Sequence, residues 1–493
     1  MEKGSHYISG SWIEGNGEEL ISTNPATNEV IWEGAHATHE EVNEAVEAAH
    51  EALPVWSRLP LEKRILFLRQ FSRNLKKNQD SLAETISKET GKPLWESKLE
   101  VTSMIQKIPI SIEAYYERCS EKQIITPTSA IITHHKPHGV IAVFGPFNFP
   151  GHLPNGHIVP ALLAGNTVVF KSSEKTPLTA QEIIKCWESV SLPPGVLNLV
   201  QGGSVTGQAL ASHPSVAGIF FTGSHRTGNK LAHELSHHPE KILALEMGGN
   251  NPLVVTDITD LETAAYLTIQ SAYLTSGQRC SCARRLILIK GHEGDEFLKV
   301  LSHMISSLKI GKYTDRPEPF MGPVISMESM EQLLNAQATF GARGGKELIE
   351  MKAPIKGTSF LTPGLMDVSE VAHRPDEELF GPFLQVIQVN DFDEAIQEAN
   401  RTSYGLTASL LSHSLQKYQK FFYEVEAGVI NWNNGTTGAS SRSAFGGIKK
   451  SGNHRPSAYY AADYSSYPVA SIESQEMHLP DKLSPGVTLL ARS

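Results

Sequence analysis

Val140-Ile141-Ala142-Val143-Phe144-Gly145-Pro146-Phe147-Asn148-Phe149-Pro150 is the stretch whose reading decides the fold. An apolar run without polar alternation reads as a strand covered on both faces, and the Gly-Pro step after it closes the strand in a rigid turn. The unit recurs downstream. Thr167 to Phe170, Val196 to Val200, Gly218 to Phe221 and Ile242 to Leu245 are short apolar runs, with amphipathic stretches such as Thr179 to Val190 between them. Buried strands separated by helices predict a parallel, doubly wound α/β sheet. A second series, Pro252 to Val255, Arg285 to Lys290, Phe383 to Val389 and Val429 to Trp432, predicts another α/β unit.

Upstream, the chain to about Gly34 is Gly- and Thr-studded with short extended pieces (His6 to Trp12, Glu29 to Trp32), as in β-hairpins. Thr38-His39-Glu40-Glu41 is a capping box, and Val42, Ala45, Val46, Ala49 and Leu53 follow at helical spacing. Helical patterning runs to about Arg118, with breaks expected at Pro54, Pro60 and Pro93. Gln123 to Pro137 alternates β-branched and polar residues and reads as a hairpin leaving its domain. The Tyr- and Ser-rich tail from Gly452 suits a strand added to a partner.

At 493 residues the chain is too long for one core, so two or three domains are expected. Hydrophobic content of 40% with charged content of 19% describes a soluble globular protein. A net charge of -10 and the lack of a Lys/Arg-rich run argue against nucleic acid as the main partner. Cys119, Cys186, Cys280 and Cys282 do not make a disulfide framework and fit a reducing cytoplasm. The N-terminus lacks a signal-peptide apolar core, and no stretch is long and apolar enough to span a bilayer. The expectation is a cytoplasmic protein with no membrane partner.

Two points carry chemistry. Ser276-Gly277-Gln278-Arg279-Cys280 sets a cysteine on a Gly-led turn, and Ala244-Leu245-Glu246-Met247-Gly248-Gly249 sets a carboxylate beside a Gly-Gly step. Together they suit thiolate attack on a carbonyl, then release by a carboxylate-activated water. Asn148 either aims its amide at a developing oxyanion or bonds its own turn. Lys171 and Glu174, after the next strand, either reach a ribose at the sheet's C-terminal edge or stand as solvated loop charges. A Glu there accepts from a free 2′-hydroxyl and repels a 2′-phosphate. Thr222-Gly223-Ser224-His225-Arg226-Thr227-Gly228 passes from strand to helix. It offers N–H groups to a pyrophosphate or is a plain Ser-capped loop; G-x-G-x-x-G is absent. Glu377 and Glu378 either orient a ribose or face solvent. No His/Cys partner lies at zinc-site spacing from Cys280 and Cys282, so no metal is expected.

The order and spacing of these segments resemble the NAD(P)-dependent aldehyde dehydrogenase superfamily over residues 6–470. The motifs that carry it are Gly145 to Pro150, Lys171 with Glu174, Phe221 to Ser224, Glu246 to Gly249, Gly277 to Cys280, Glu378 to Pro382 and Phe445-Gly446-Gly447. The resemblance implies an NAD-binding domain of residues 1–121 and 142–248 and a catalytic domain of 249–447. It further implies a small β oligomerisation element of 122–141 with 448–475, a tail of 476–493, and a homodimer or dimer of dimers. By resemblance, Cys280 attacks the aldehyde and Asn148 with the Cys280 N–H holds the oxyanion. Hydride passes to NAD, and Glu246 activates the water that hydrolyses the thioester. A thiolate nucleophile requires Cys280 to titrate below a free thiol. Lys171 and Glu174 would hold the adenosine ribose, and Gly223, Ser224, His225, Arg226, Thr227 and Gly228 the pyrophosphate. Glu378 and Phe380 would border the nicotinamide, with Pro146 and Phe147 also on the cofactor. Glu246 favours hydrolysis over transfer to coenzyme A.

Asn148 to His157, Glu246 to Pro252 and Gly452 to Tyr460 are similar, within the family, to the branch that oxidises N-succinylglutamate 5-semialdehyde in bacterial arginine breakdown. This implies a small anionic aldehyde substrate, with Thr437, Gly438, Ser440 and Arg442 as candidates to hold a carboxylate. Ser172 stands where the family usually has Pro, and Ser441-Arg442-Ser443-Ala444 is bulkier and more cationic than the family pattern. Glutamate semialdehyde, or another ω-semialdehyde, is the alternative substrate. A non-catalytic relative is opposed by the presence of Cys280, Glu246 and Asn148.

Overall fold

Each apolar run of the first series becomes a strand of one sheet. The computed structural model describes residues 2–489. In it Ile242–Met247, Val216–Gly223, Val140–Phe144, Thr167–Lys171 and Leu197–Val200 lie side by side in that order, all parallel. The antiparallel hairpin His6–Ile8 with Ser11–Ile13 completes the edge. The absence of alternation has a direct cause. Ile141 and Val143 enter one core with Phe71, Met104, Leu162 and Trp187, while Val140, Ala142 and Phe144 enter another with Val42, Val46 and Leu210. Both faces are dry, so both residue parities must be apolar.

The chain leaves Val140–Phe144 toward Leu197–Val200 on one side, then crosses to Val216–Gly223 on the other. That reversal opens a crevice at the strands' carboxyl ends, where open α/β sheets bind ligands. Only Gly248-Gly249-Asn250 separates Ile242–Met247 from Asn251–Val255, the first strand of a second sheet. This sheet runs Lys346–Ile349, Gly364–Asp367, Phe383–Val389, Ala283–Ile289, Asn251–Val255, Thr407–Leu411, Val429–Trp432, with only Lys346–Ile349 antiparallel. Gly364–Asp367 is short, and Thr407–Leu411 buries hydroxyls: Ser409 Oγ donates to the Asn434 carbonyl at 2.5 Å. Neither announces itself as an apolar run.

The Thr38–Glu41 capping box forms, opening the helix His39–Arg58. That helix does not break at Pro54, contrary to the expectation. Pro54 and His50, whose carbonyl loses its donor, are both exposed, so water replaces the missing bond. Breaks do occur at Pro60 and Pro93. Ser466–Glu473 pairs antiparallel with Ala130–Pro137, which pairs with Lys122–Ile125, so the tail's first partner is this chain's own hairpin. No helix among the described residues is long and apolar enough to cross a membrane.

Candidate active site

Cys280 sits on a loop forced out of regular geometry. After the helix Leu261–Tyr273, residues Thr275, Ser276 and Gly277 all adopt positive φ (55°, 53° and 71°). For the two residues bearing side chains this costs roughly 1–2 kcal/mol each. The cost is offset by bonds on every side. Glu96 accepts from the Thr275 N–H (3.1 Å), the Thr275 hydroxyl (2.7 Å) and Arg279 Nη2 (2.5 Å). Ser276 Oγ donates to the Gly322 carbonyl at 2.7 Å. At Gly277 a Cβ would lie 2.0 Å from the Gly381 oxygen, so glycine is obligatory there. Arg284, fully buried, donates to the carbonyls of Gly277 and Arg279 at 2.6 and 3.0 Å. Asn251 Nδ2 donates to the carbonyls of Cys280 (2.7 Å) and Cys282 (2.9 Å).

Glu246 lies on the edge strand of the first sheet, in register with Thr222. The free edge is covered by residues 451–453. The Met247 N–H donates to the Ser451 carbonyl at 3.0 Å, and Asn453 bridges Leu245 and Leu243 at 3.0 and 2.8 Å. The carboxylate is 5% exposed, and neither oxygen has a hydrogen-bond partner among the described residues. Burial therefore pushes its pKa well above the usual carboxylate range; the Ser457 N–H eases this without closing a bond of good geometry. A Cβ on Gly446 would stand 2.8 Å from Glu246 Oε1.

The Cys280 thiol is pushed up to about 12, by burial first and then by the charges of Glu378 and Glu246. This corrects the expectation of a depressed pKa. The neighbouring Arg279 guanidinium is committed to Glu96, and the groups that face the sulfur are carboxylates. Asn148, also buried, donates one Nδ2 hydrogen to the Gln278 carbonyl at 2.9 Å and keeps the second.

These groups share one cleft of about 1380 Å³, which runs from the crevice of the first sheet past Cys280 to the loop at 438–441. The model of the aldehyde dehydrogenase family matches residues 12–468. The chain belongs to the aldehyde dehydrogenase family. It is 53% identical over 485 residues to a protein named N-succinylglutamate 5-semialdehyde dehydrogenase from Ectopseudomonas mendocina, covering 98% of this chain and 100% of that one. It is 54% identical over 485 residues to the protein of the same name from Pseudomonas fluorescens, covering 98% and 99%. Its fold is similar to that of an NADP-dependent glyceraldehyde-3-phosphate dehydrogenase from Bacillus halodurans, solved with NADP. The TM-score is 0.90 at 26% identity, covering 97% of this chain and 100% of that one.

In this aldehyde dehydrogenase the cleft gathers Cys280, Glu246 and Asn148. Pro146, Phe147, Lys171, Glu174, Glu378 and Phe380 also line it. So do Gly223, Ser224 and Thr227 from the strand–helix passage, and Gly438 and Ser440 from the far loop. Five sequence candidates fall outside. His225 turns its ring to the Lys450 carbonyl (3.1 Å), Gly228 packs on Met247, and Arg226 is exposed. Thr437 donates to the Gln270 carbonyl at 3.0 Å. Arg442 pairs with Glu113 at 2.6 Å on the surface, outside the lining of the cleft. His157, which lines the cleft, is held between Tyr464 Oη (2.8 Å) and Thr222 Oγ1 (2.9 Å), and burial drops it to about 3, so its ring is neutral.

The helix Leu94–Arg118 was expected from its patterning, but sequence reasoning missed that it supplies Glu96, Glu100 and Lys107 beneath the site. Glu100 accepts from the Gly151 and His152 N–H groups at 2.9 and 3.0 Å, capping the helix His152–Ala164. It also pairs with buried Lys92. The available signal was Lys107 falling on the buried stripe of Met104, Ser111 and Ala114.

Proposed function

We propose that the protein oxidises N-succinylglutamate 5-semialdehyde to N-succinylglutamate by a hydrolytic cysteine route with NAD. The observation that carries the reading is a sulfur and an unpartnered buried carboxylate in one cleft, close enough for the Glu246 charge to raise the cost of a Cys280 thiolate. Two adjacent anions in a confined cleft are disfavoured, so the Glu246 charge works against a standing Cys280 thiolate. Cys280, half-buried, adds its Sγ to the aldehyde carbon and its thiol proton passes to solvent water. The spare Nδ2 hydrogen of Asn148 meets the oxyanion, a contact worth about 10²–10³ in rate for such donors. Bound nicotinamide supplies the hydride acceptor. Glu246, ionised, takes a proton from water as the water oxygen adds to the Cys280 acyl carbon, and the sulfur leaves with the carboxylic product formed.

The cleft's residues fit a dinucleotide. Lys171 is buried, its ammonium hydrogen-bonds only the Ser172 carbonyl (2.7 Å) among the described residues, and its ion pair with Glu174 is long at 3.9 Å, so donors and an acceptor remain for ribose hydroxyls. A free Glu174 carboxylate favours NAD over a 2′-phosphorylated cofactor. Identity with the two succinylglutamate-semialdehyde enzymes supports the substrate. The exposed Ile124, Ile125 and Ile472 on the three-stranded sheet support docking of a second copy there.

Comparing kcat/KM for succinylated and free glutamate semialdehyde, each with NAD and NADP, tests the reading. A clear preference for the succinylated aldehyde with NAD is expected. Equal use of both aldehydes would overturn the substrate assignment.

A further inference from the structure

We infer that Lys107 is the cation that receives a substrate carboxylate, and so sets this cleft's preference for an acidic aldehyde. The inference rests on the dicarboxylate substrate just proposed.

Lys107 lies on the cleft side of the helix Leu94–Arg118 and is 1% exposed. Its ammonium makes one bond, to the Ala458 carbonyl at 2.6 Å, and no carboxylate lies within ion-pair distance among the described residues. Neighbouring cations are matched: Lys92 pairs with Glu100, and Arg279 with Glu96 at 2.5 Å. Setting those pairs aside leaves Lys107 as the cation of this helix's cleft side without a carboxylate partner among the described residues. An ammonium has three donors, so two remain without a partner. Burying them is unfavourable until an anion arrives.

The surroundings leave room for that anion. Ser103, one turn earlier on the same helix, lines the cleft beside it. On the facing helix, a Cβ at Gly156 would meet no atom within 4 Å, and His152 Nδ1 is buried without a partner. The carbonyl that Lys107 does bond belongs to Ala458, held at φ 60°, a left-handed conformation costly for alanine. Pairing of Ala444–Phe445 with Ser457–Ala458 fixes that conformation. Burial lowers the Lys107 ammonium to about 7. A carboxylate beside it would favour the charged form again.

A purely structural lysine, tying its helix to Ala458, would instead serve every aldehyde alike. The two roles separate in the ratio of kcat/KM for N-succinylglutamate 5-semialdehyde over hexanal. Lys107→Met should lower that ratio about 10–100-fold, the worth of one bond to a charged group, mainly through KM. Lys107→Arg should recover part of it. Ser103→Glu places a carboxylate at i,i+4 from an untouched Lys107 and should lower the ratio too, which keeps the test open if Lys107→Met fails to fold. An equal loss on both aldehydes, or a ratio that survives in both variants while wild type keeps its preference, overturns the anchor alone. A wild type without preference for the acidic aldehyde overturns the substrate assignment and the anchor with it.

Discussion

Around Cys280 side chains from several elements hold the loop's backbone and hydroxyl groups, whereas the carboxylate of Glu246 bonds to nothing among the described residues. The cysteine loop holds a left-handed Thr-Ser-Gly run because Glu96, Arg284 and Asn251 clamp it from three elements. The Glu246 strand is regular, its edge sealed by Ser451 to Asn453, and the side chain projects into space that Gly446 leaves open. A nucleophile must be aimed, so its support is rigid. A base that recruits water must keep its lone pairs vacant, so its site is bare. Both conditions cost stability, one as backbone strain and the other as desolvation.

The sharpest way to break this contrast is to delete the aimed group. Cys280→Ala should lower kcat by roughly 10⁴-fold or more, as loss of a nucleophile does, without unfolding the chain. Turnover retained in NADH assays would end the assignment. Next comes Glu246→Gln, which should cost about 10²–10⁴-fold in steady state while sparing the first, pre-hydrolytic NADH burst. A parallel loss of the burst would place Glu246 before the thioester.

The same variant has a stability signature with a definite sign. The Glu246 pKa is raised in the folded protein, so its contribution is fully present below the ordinary carboxyl value of 4.5 and is lost as pH rises through the folded value. Glutamine carries no such charge. Glu246→Gln should therefore melt above wild type at pH 8, with the gap closing toward pH 4. A constant gap across that range would mean the carboxylate is not desolvated.

Glu96→Ala attacks the clamp instead of the chemistry. It leaves the half-buried Arg279 without its partner and frees Thr275, which should destabilise by about 2–4 kcal/mol. Denaturant midpoints measure this; a change under about 1 kcal/mol would mean the loop keeps its shape without Glu96.

How far the chain could be read in advance follows from the same physics. Strands buried on both faces, such as Val140–Phe144 and Phe383–Val389, must be apolar throughout and so stand out. Thr407–Leu411 satisfies its hydroxyls through contacts no local pattern displays. Cys280 and Glu246 were legible because glycines beside them mark close approach, but the direction of the Cys280 pKa was not. That depends on Glu246 and Glu378, which only the fold brings near. Lys107 was missed because one lysine in a helix ordinarily faces water, and its place on the stripe of Met104, Ser111 and Ala114 was the one sign that it does not.

Arg442 is the mirror image of Lys107, and the smallest effect belongs to it. In sequence it is the obvious cation near the substrate mouth; in the structure it is exposed and paired with Glu113 at 2.6 Å, while the cleft wall beside it is made by Gly438, Ser440 and Ser441. Exposed ion pairs contribute little, because water and salt screen them and two long side chains lose freedom. Arg442→Ala should therefore move KM for the acidic aldehyde by less than about threefold, with no difference between acidic and neutral substrates. A tenfold, acid-selective rise would mean that Arg442 leaves Glu113 for the substrate, and would return the specificity of the cleft from its buried floor to its rim.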